Sequence, residues 1–274
     1  MNRALPFAAG LLAAAVATTV ASVHGAPAEA VGGNIEGRVR VSGPTPGNPF
    51  IRLGADPLCA RLNAGQRPVQ EFFVKTPDGG LANVFVAVQG TFPATPVPTT
   101  PAVLDQQACI YRPHVIGARV GQTLQVRNSD PLLHNVHSDS QKGNAFDVGQ
   151  PQAGMLFRFP LKGQEVLLHI KCDVHGWMNG YVGVVNHPYF AVSGAGGAFR
   201  ITNVPAGRYT LQAWHERLGP LAASVTVKAG ASVVADFTYT GSEKGGTPAG
   251  FALQDVVVPT PTMAARIPAT VAAP

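Results

Sequence analysis

Glycine and proline punctuate this 274-residue chain so often that little of it can be helix. The 31 Gly and 24 Pro separate short Val- and Thr-rich runs, and few apolar runs keep a helical period over helix length. Such a chain folds as short strands joined by tight turns, so the expected class is all-β. At this length the apolar content is ample for two cores. Only 13% of residues are charged, and the formal charge of +5 is spread without a Lys/Arg cluster. Nucleic acid and anionic membrane are therefore not expected as partners.

Residues 1–28 read as an export signal, with Arg3 ahead of an apolar, Ala-rich stretch over 11–23. Thr18 and Thr19 interrupt that stretch and it is short for a membrane span, so no transmembrane segment is expected in the mature chain. The expected location is the periplasm. Residues 241–274, rich in Pro, Ala, Gly and Thr without a period, read as a disordered tail.

Between these ends, alternation and turn residues predict strands over 34–41, 70–75, 81–88, two within 103–120 around Pro113, 122–128, 155–159, 165–171 and 181–185. Residues 139–154 read as a loop. Five further strands are predicted over 190–192, 198–201, 208–214, 221–227 and 232–239, with Trp214 and Tyr209 as core. Parity places Val166, Leu168, Ile170 and Cys172 on one face and Leu167, His169 and Lys171 on the other, which removes His169 as a ligand.

The chemistry concentrates in residues 171–180, KCDVHGWMNG, where Cys172, His175 and Met178 recur at three-residue intervals on a loop. Thiolate, imidazole and thioether, with a second imidazole, form the soft donor set of a type 1 copper site: a His2Cys plane and a weak axial Met. His134, after the predicted strand 122–128, is the candidate fourth donor. A zinc site from Cys172, His175, His134 and His137 is the metal alternative, although three-residue spacing on a strand points His137 away from His134. His114, His187 and His215 are read as structural, with a second site among them left open. Of the three cysteines, Cys172 has a reason to be unpaired, which leaves Cys59 and Cys109 either to form a disulfide or to lie buried as thiols. No phosphate-binding loop, nucleophile elbow or carboxylate pair is evident, so no enzymatic activity is expected.

Two resemblances follow from these motifs. The stretch from about residue 109 to 185 resembles the small periplasmic cupredoxins of the amicyanin and plastocyanin type, through Cys172-x-x-His175-x-x-Met178 and Leu133-His134-Asn135-Val136-His137. The other is to carboxypeptidase regulatory-like, transthyretin-type sandwiches, through Gly37-Arg38-Val39, residues 81–86, residues 197–201 and Pro205-Ala206-Gly207-Arg208-Tyr209-Thr210-Leu211. Proteins combining such parts are often labelled methylamine-utilisation proteins. The cupredoxin-like stretch separates the pieces of the second pattern. A copper domain over 101–186, inserted into a sandwich whose halves are 33–96 and 188–240, is therefore expected, with three pieces in tandem as the alternative.

The first resemblance implies one type 1 copper cycling between Cu(I) and Cu(II) in single-electron transfer, with a cytochrome or dehydrogenase as redox partner. Asn135 is expected to tie the His134 segment to the Cys172 loop by hydrogen bonds. Pro131, Leu132, Leu133, Gly176 and Trp177 are expected to form an apolar docking patch around an exposed edge of His175. The competing expectations are a non-redox envelope binding module with structural zinc or copper, and a copper storage or delivery protein.

Overall fold

The computed structural model describes residues 31–243, together with positions 1 and 245, so the export-signal reading and nearly all of the tail reading lie outside the described residues. The described chain is all-β. Its strands are β1 (Gly33–Val41), β2 (Phe85–Gln89), β3 (Ala102–Gln107), β4 (Ile110–Arg112), β5 (Val115–Arg119), β6 (Thr123–Asn128), β7 (His134–Ser138), β8 (Phe146–Gln150), β9 (Leu156–Pro160), β10 (Glu165–Lys171) and β11 (Asn179–Val185). They continue as β12 (Phe190–Val192), β13 (Ala198–Val204), β14 (Gly207–His215), β15 (Gly219–Val227), β16 (Ser232–Val234) and β17 (Phe237–Tyr239). One short helix, α1 (Pro57–Leu62), lies between β1 and β2.

Two sheets are built from both ends of this span. In one, β1 pairs with β13, β16 and β17; in the other, β2 lies between β12 and β14, and β14 pairs with β15. Their facing sides share a core that includes Ile35, Val39, Val86, Ile201, Leu211 and Phe237. The intervening strands pair only among themselves, as a sheet in the order β4-β3-β6-β9 and another in the order β5-β11-β10-β7-β8. Leu104, Leu124, Val126, Val136, Leu168, Ile170 and Val182 fill the second core. One sandwich thus interrupts the other.

A third apolar cluster joins them. Phe85 and Ala87, on the face of β2 opposite to Val86 and Val88, pack with Val115, Leu167 and Val185 of the inner sandwich. This explains why four successive residues of β2 are buried, since both its faces are covered. Gly117 and Gly183, paired across β5 and β11, leave room there: a Cβ on Gly183 would lie 2.4 Å from the Phe85 ring, and one on Gly117 2.4 Å from Phe190.

The structure departs from the strand expectations in several places. Residues 70–75 form no strand, and only Lys75 among them makes an isolated bridge, to Leu81. The stretch 103–120 holds three strands, with a cis Arg112–Pro113 bond between the last two. The expected loop 139–154 contains β8, which pairs with β7 at the sheet edge. The expected strand 232–239 is split into β16 and β17, each parallel to β1. In β10 a bulge around Leu167, at φ 54°, breaks the parity, so Val166 joins Leu167 at the joint between the sandwiches, while Leu168 and Ile170 face the inner core. Trp214 packs at that same joint and Tyr209 on the opposite face of β14, against the outer core.

Candidate metal centre

His134 opens β7, and the turn before it is built by one buried side chain. Asn128 donates through Nδ2 to Leu132 O (2.9 Å) and Gln150 O (2.8 Å), while its Oδ1 accepts from Asp130 N (2.9 Å). Strand parity then turns His134 and Val136 into the inner core. Cys172 directly follows β10, and its loop is closed by backbone bonds from Met178 N to His175 O (2.8 Å) and Cys172 N to Met178 O (3.2 Å). The buried Tyr111 hydroxyl bonds Asn135 O (2.6 Å) and Lys171 O (3.2 Å), tying the two ligand-bearing strands together.

His134, Cys172 and His175 converge in this way, and all three are at most 2% exposed. The two Nδ1 atoms are 3.1 Å apart, and Cys172 Sγ is 3.8 Å from His175 Nδ1. Each outer nitrogen meets a carboxylate: His134 Nε2 donates to Asp130 Oδ2 (2.9 Å), and His175 Nε2 to Asp56 Oδ2 (3.1 Å). An ionised carboxylate only accepts, so the protons sit on Nε2 and the inner Nδ1 atoms present lone pairs. Two such nitrogens at hydrogen-bond distance are satisfied by a shared proton or by a metal cation between them, and the adjacent sulfur suits a soft metal. The residues therefore fit a copper ion. Met178 is buried in the same core, held by the loop that carries Cys172 and His175.

The electrostatics favour anionic sulfur. Burial raises the Cys172 thiol's pKa, but hydrogen bonds with His134, His175 and the Asn135 backbone N–H outweigh it and bring it down to about 6. Burial acts against a charged His134, yet the Asp130 and Cys172 partners hold its pKa above the ordinary value. Burial also opposes the Asp130 charge, and its bonds to His134 and to the backbone N–H groups of Cys109 and Ala108 still leave its pKa lowered.

Asn135 links the two segments. Its backbone N–H donates to Cys172 Sγ (3.3 Å), and its Oδ1 accepts from Asp173 N (3.2 Å). His137 points to the other face of β7, where it bonds Asp139 and Asp173, so it does not join the three donors. His169 bonds Asn179 and stacks on Tyr181, away from the cluster. His114 pairs with Glu216, His187 packs beside Phe92 and Tyr189, and His215 accepts backbone N–H groups from Arg217 and Leu218. The three do not come together in a cluster of candidate ligands among the described residues.

The docking patch needs correction. His175 has no exposed edge: Asp56 bonds its Nε2, and Cys59 Sγ lies 3.6 Å from the same atom. Leu132 is buried, and Trp177 is half-buried with its Nε1 donating to Cys109 O (3.0 Å) and its ring beside His175. Pro131, Leu133 and Gly176 remain exposed. The covering segment carries α1 and is fixed by a Cys59–Cys109 disulfide. Asp56 and Asp130 were missed as site residues. Asp56 before Pro57 signals a helix start, but a contact 119 residues along the chain has no local signature.

A family profile described as polysaccharide lyase family 4, domain II, matches residues 163–235. The match begins in the inner sandwich, at β10, and ends beyond β16 in the outer one. No curated protein matches the chain. Among solved structures, the Cu-containing nitrite reductase of Thermus scotoductus SA-01 aligns at 19% identity and a TM-score of 0.30 over 35% of this chain. The chain spans only 24% of that protein's length. A purple cupredoxin from Nitrosopumilus maritimus aligns at 23% identity over 30% of this chain and 98% of its own, with a TM-score of 0.27. A reduced amicyanin variant aligns at 19% identity over 36% of this chain and 97% of its own, with a TM-score of 0.28.

Proposed function

We propose that the inner sandwich holds one type 1 copper and that the protein carries single electrons, transforming no substrate itself. The observation that carries this reading is the convergence of two imidazole Nδ1 atoms and the Cys172 thiol in a buried pocket. Copper bound there supplies one-electron cycling between Cu(I) and Cu(II). In this reading His134, Cys172 and His175 would hold the ion, with Met178 as a fourth donor.

The chain's own contribution is rigidity and dryness. Closure of the 172–178 loop by two backbone hydrogen bonds, and the Tyr111 bridge, hold the donors in one geometry whether or not charge changes. The Asn135 N–H on Cys172 Sγ stabilises the thiolate and tempers its donation. A copper storage or delivery role would call for an exchangeable site, which a site closed by Asp56 and α1 does not favour. With His175 covered, the half-buried Trp177 ring, 5.0 Å from the His175 ring, is the surface route for an electron. A redox protein docking over Trp177, Pro131, Leu133 and Gly176 fits this. The protein is proposed to work in the periplasm.

Copper titration of the purified protein tests the reading. One equivalent of Cu(II) should give an intense visible thiolate-to-copper band, absent in Cys172→Ser. A colourless protein that takes zinc in preference would overturn it in favour of a structural metal module.

A further inference from the structure

The covering segment reaches the metal centre through one atom. Asp56 is the N-cap of α1: its Oδ1 accepts from Leu58 N (2.7 Å) and Cys59 N (3.4 Å). That fixes the carboxylate plane and leaves Oδ2 for His175 Nε2 at 3.1 Å. The other imidazole is held likewise. Asp130 accepts from Ala108 N (2.8 Å) and Cys109 N (2.7 Å), and its Oδ2 meets His134 Nε2. The Cys59–Cys109 disulfide runs between these two anchors, since Cys59 N–H binds one carboxylate and Cys109 N–H the other. Asn63 adds a clamp by donating to Cys59 O and Ala108 O, both at 2.9 Å.

We propose that Asp56 is a positioning residue of the metal centre, delivered by a disulfide-pinned segment. In this role it holds His175 in the Nε2–H tautomer with Nδ1 turned inward, strengthens that imidazole as a donor and seals its outer edge from water. A carboxylate behind a metal-binding imidazole fixes ring and tautomer, and its loss typically costs ~10- to 100-fold in metal affinity. Negative charge beside a coordinating imidazole favours Cu(II) over Cu(I). Asp56 therefore lowers the reduction potential of the centre.

The proposal rests on the copper reading for its potential readout but not for its tautomer readout. The test uses the full mature chain with Asp56→Ser and Asp56→Asn. Serine caps helices as well as aspartate does, so α1 keeps its start while the link to His175 is lost; asparagine keeps the shape without the charge. In metal-free protein, long-range 15N–1H NMR should show His175 as the Nε2–H tautomer in the parent and as a mixture in Asp56→Ser. With copper alone added, both variants should lose about 10- to 100-fold in Cu(II) affinity relative to Cu(I), which raises the potential by about 59 to 118 mV. An unchanged tautomer in Asp56→Ser overturns the proposal, as does an unchanged potential in variants that bind copper. If no variant nor the parent binds copper, the copper reading falls and the tautomer result alone decides the role of Asp56.

Discussion

Replacing Glu216 by alanine should unfasten the inner sandwich from the outer one. Glu216 lies in the turn between β14 and β15, and it forms a short hydrogen bond with His114, between β4 and β5. Both side chains are 4% exposed. Burial opposes charge on each, yet the pairing prevails, so the His114 pKa is raised and the Glu216 pKa lowered, with Tyr181, His215, Arg217 and Glu71 among the facing groups. Removing one partner of a buried pair strands the other charge, at a cost of about 3–5 kcal/mol. For a chain of this size that is a fall in Tm of about 6–20 °C.

The pH dependence carries a sign. A raised histidine pKa stabilises the fold fully below its unfolded value, near 6.5, and that contribution fades as pH rises through the folded value. A lowered glutamate pKa stabilises fully above its unfolded value, near 4.5, and fades as pH falls through the folded one. The stability lost in Glu216→Ala should thus be largest between about pH 4.5 and 6.5 and shrink on either side. Denaturant unfolding of both proteins from pH 3 to 9 measures this. A difference below about 1 kcal/mol, or one flat with pH, would refute the idea that the pair fastens the sandwiches through charge.

Gly183→Ala should destabilise by about 1–3 kcal/mol, because the new Cβ meets the Phe85 ring at 2.4 Å where two sheets leave no slack; calorimetry showing no loss would contradict that packing. Replacing both Cys59 and Cys109 by alanine opens a crosslink of sequence separation 50 and should cost about 4 kcal/mol on chain entropy, seen as an earlier urea midpoint. Met178→Leu should keep the visible band and raise the reduction potential, whereas a lower potential would speak against an axial thioether.

Much of the fold was legible because its signals are local. Leu124, Val126 and Asn128 share a face by alternation alone, and all three are buried. The turn residues at 205–207 mark the crossing from β13 in one sheet to β14 in the other in the same way. What escaped depends on contacts distant in sequence. Strand β8 carries only Phe146 and Val148 as large apolar residues and is stabilised by pairing with β7. The bulge at Leu167 answers to the joint between sandwiches, because Leu167 and Val166 are both needed there. Cys172 and His175 could be named from their spacing on one loop and His134 from its place after a predicted strand, and the structure brings the three side chains together. The cover over His175 could not be named, because an irregular segment with one short helix says nothing about which surface it will lie upon.

The most direct test of the central claim is X-ray absorption at the copper edge of the loaded protein. The account predicts one sulfur and two imidazole nitrogens in the copper's inner coordination sphere, with the sulfur scatterer gone in Cys172→Ser. A spectrum fitted by nitrogen and oxygen alone, unchanged by that substitution, would contradict it.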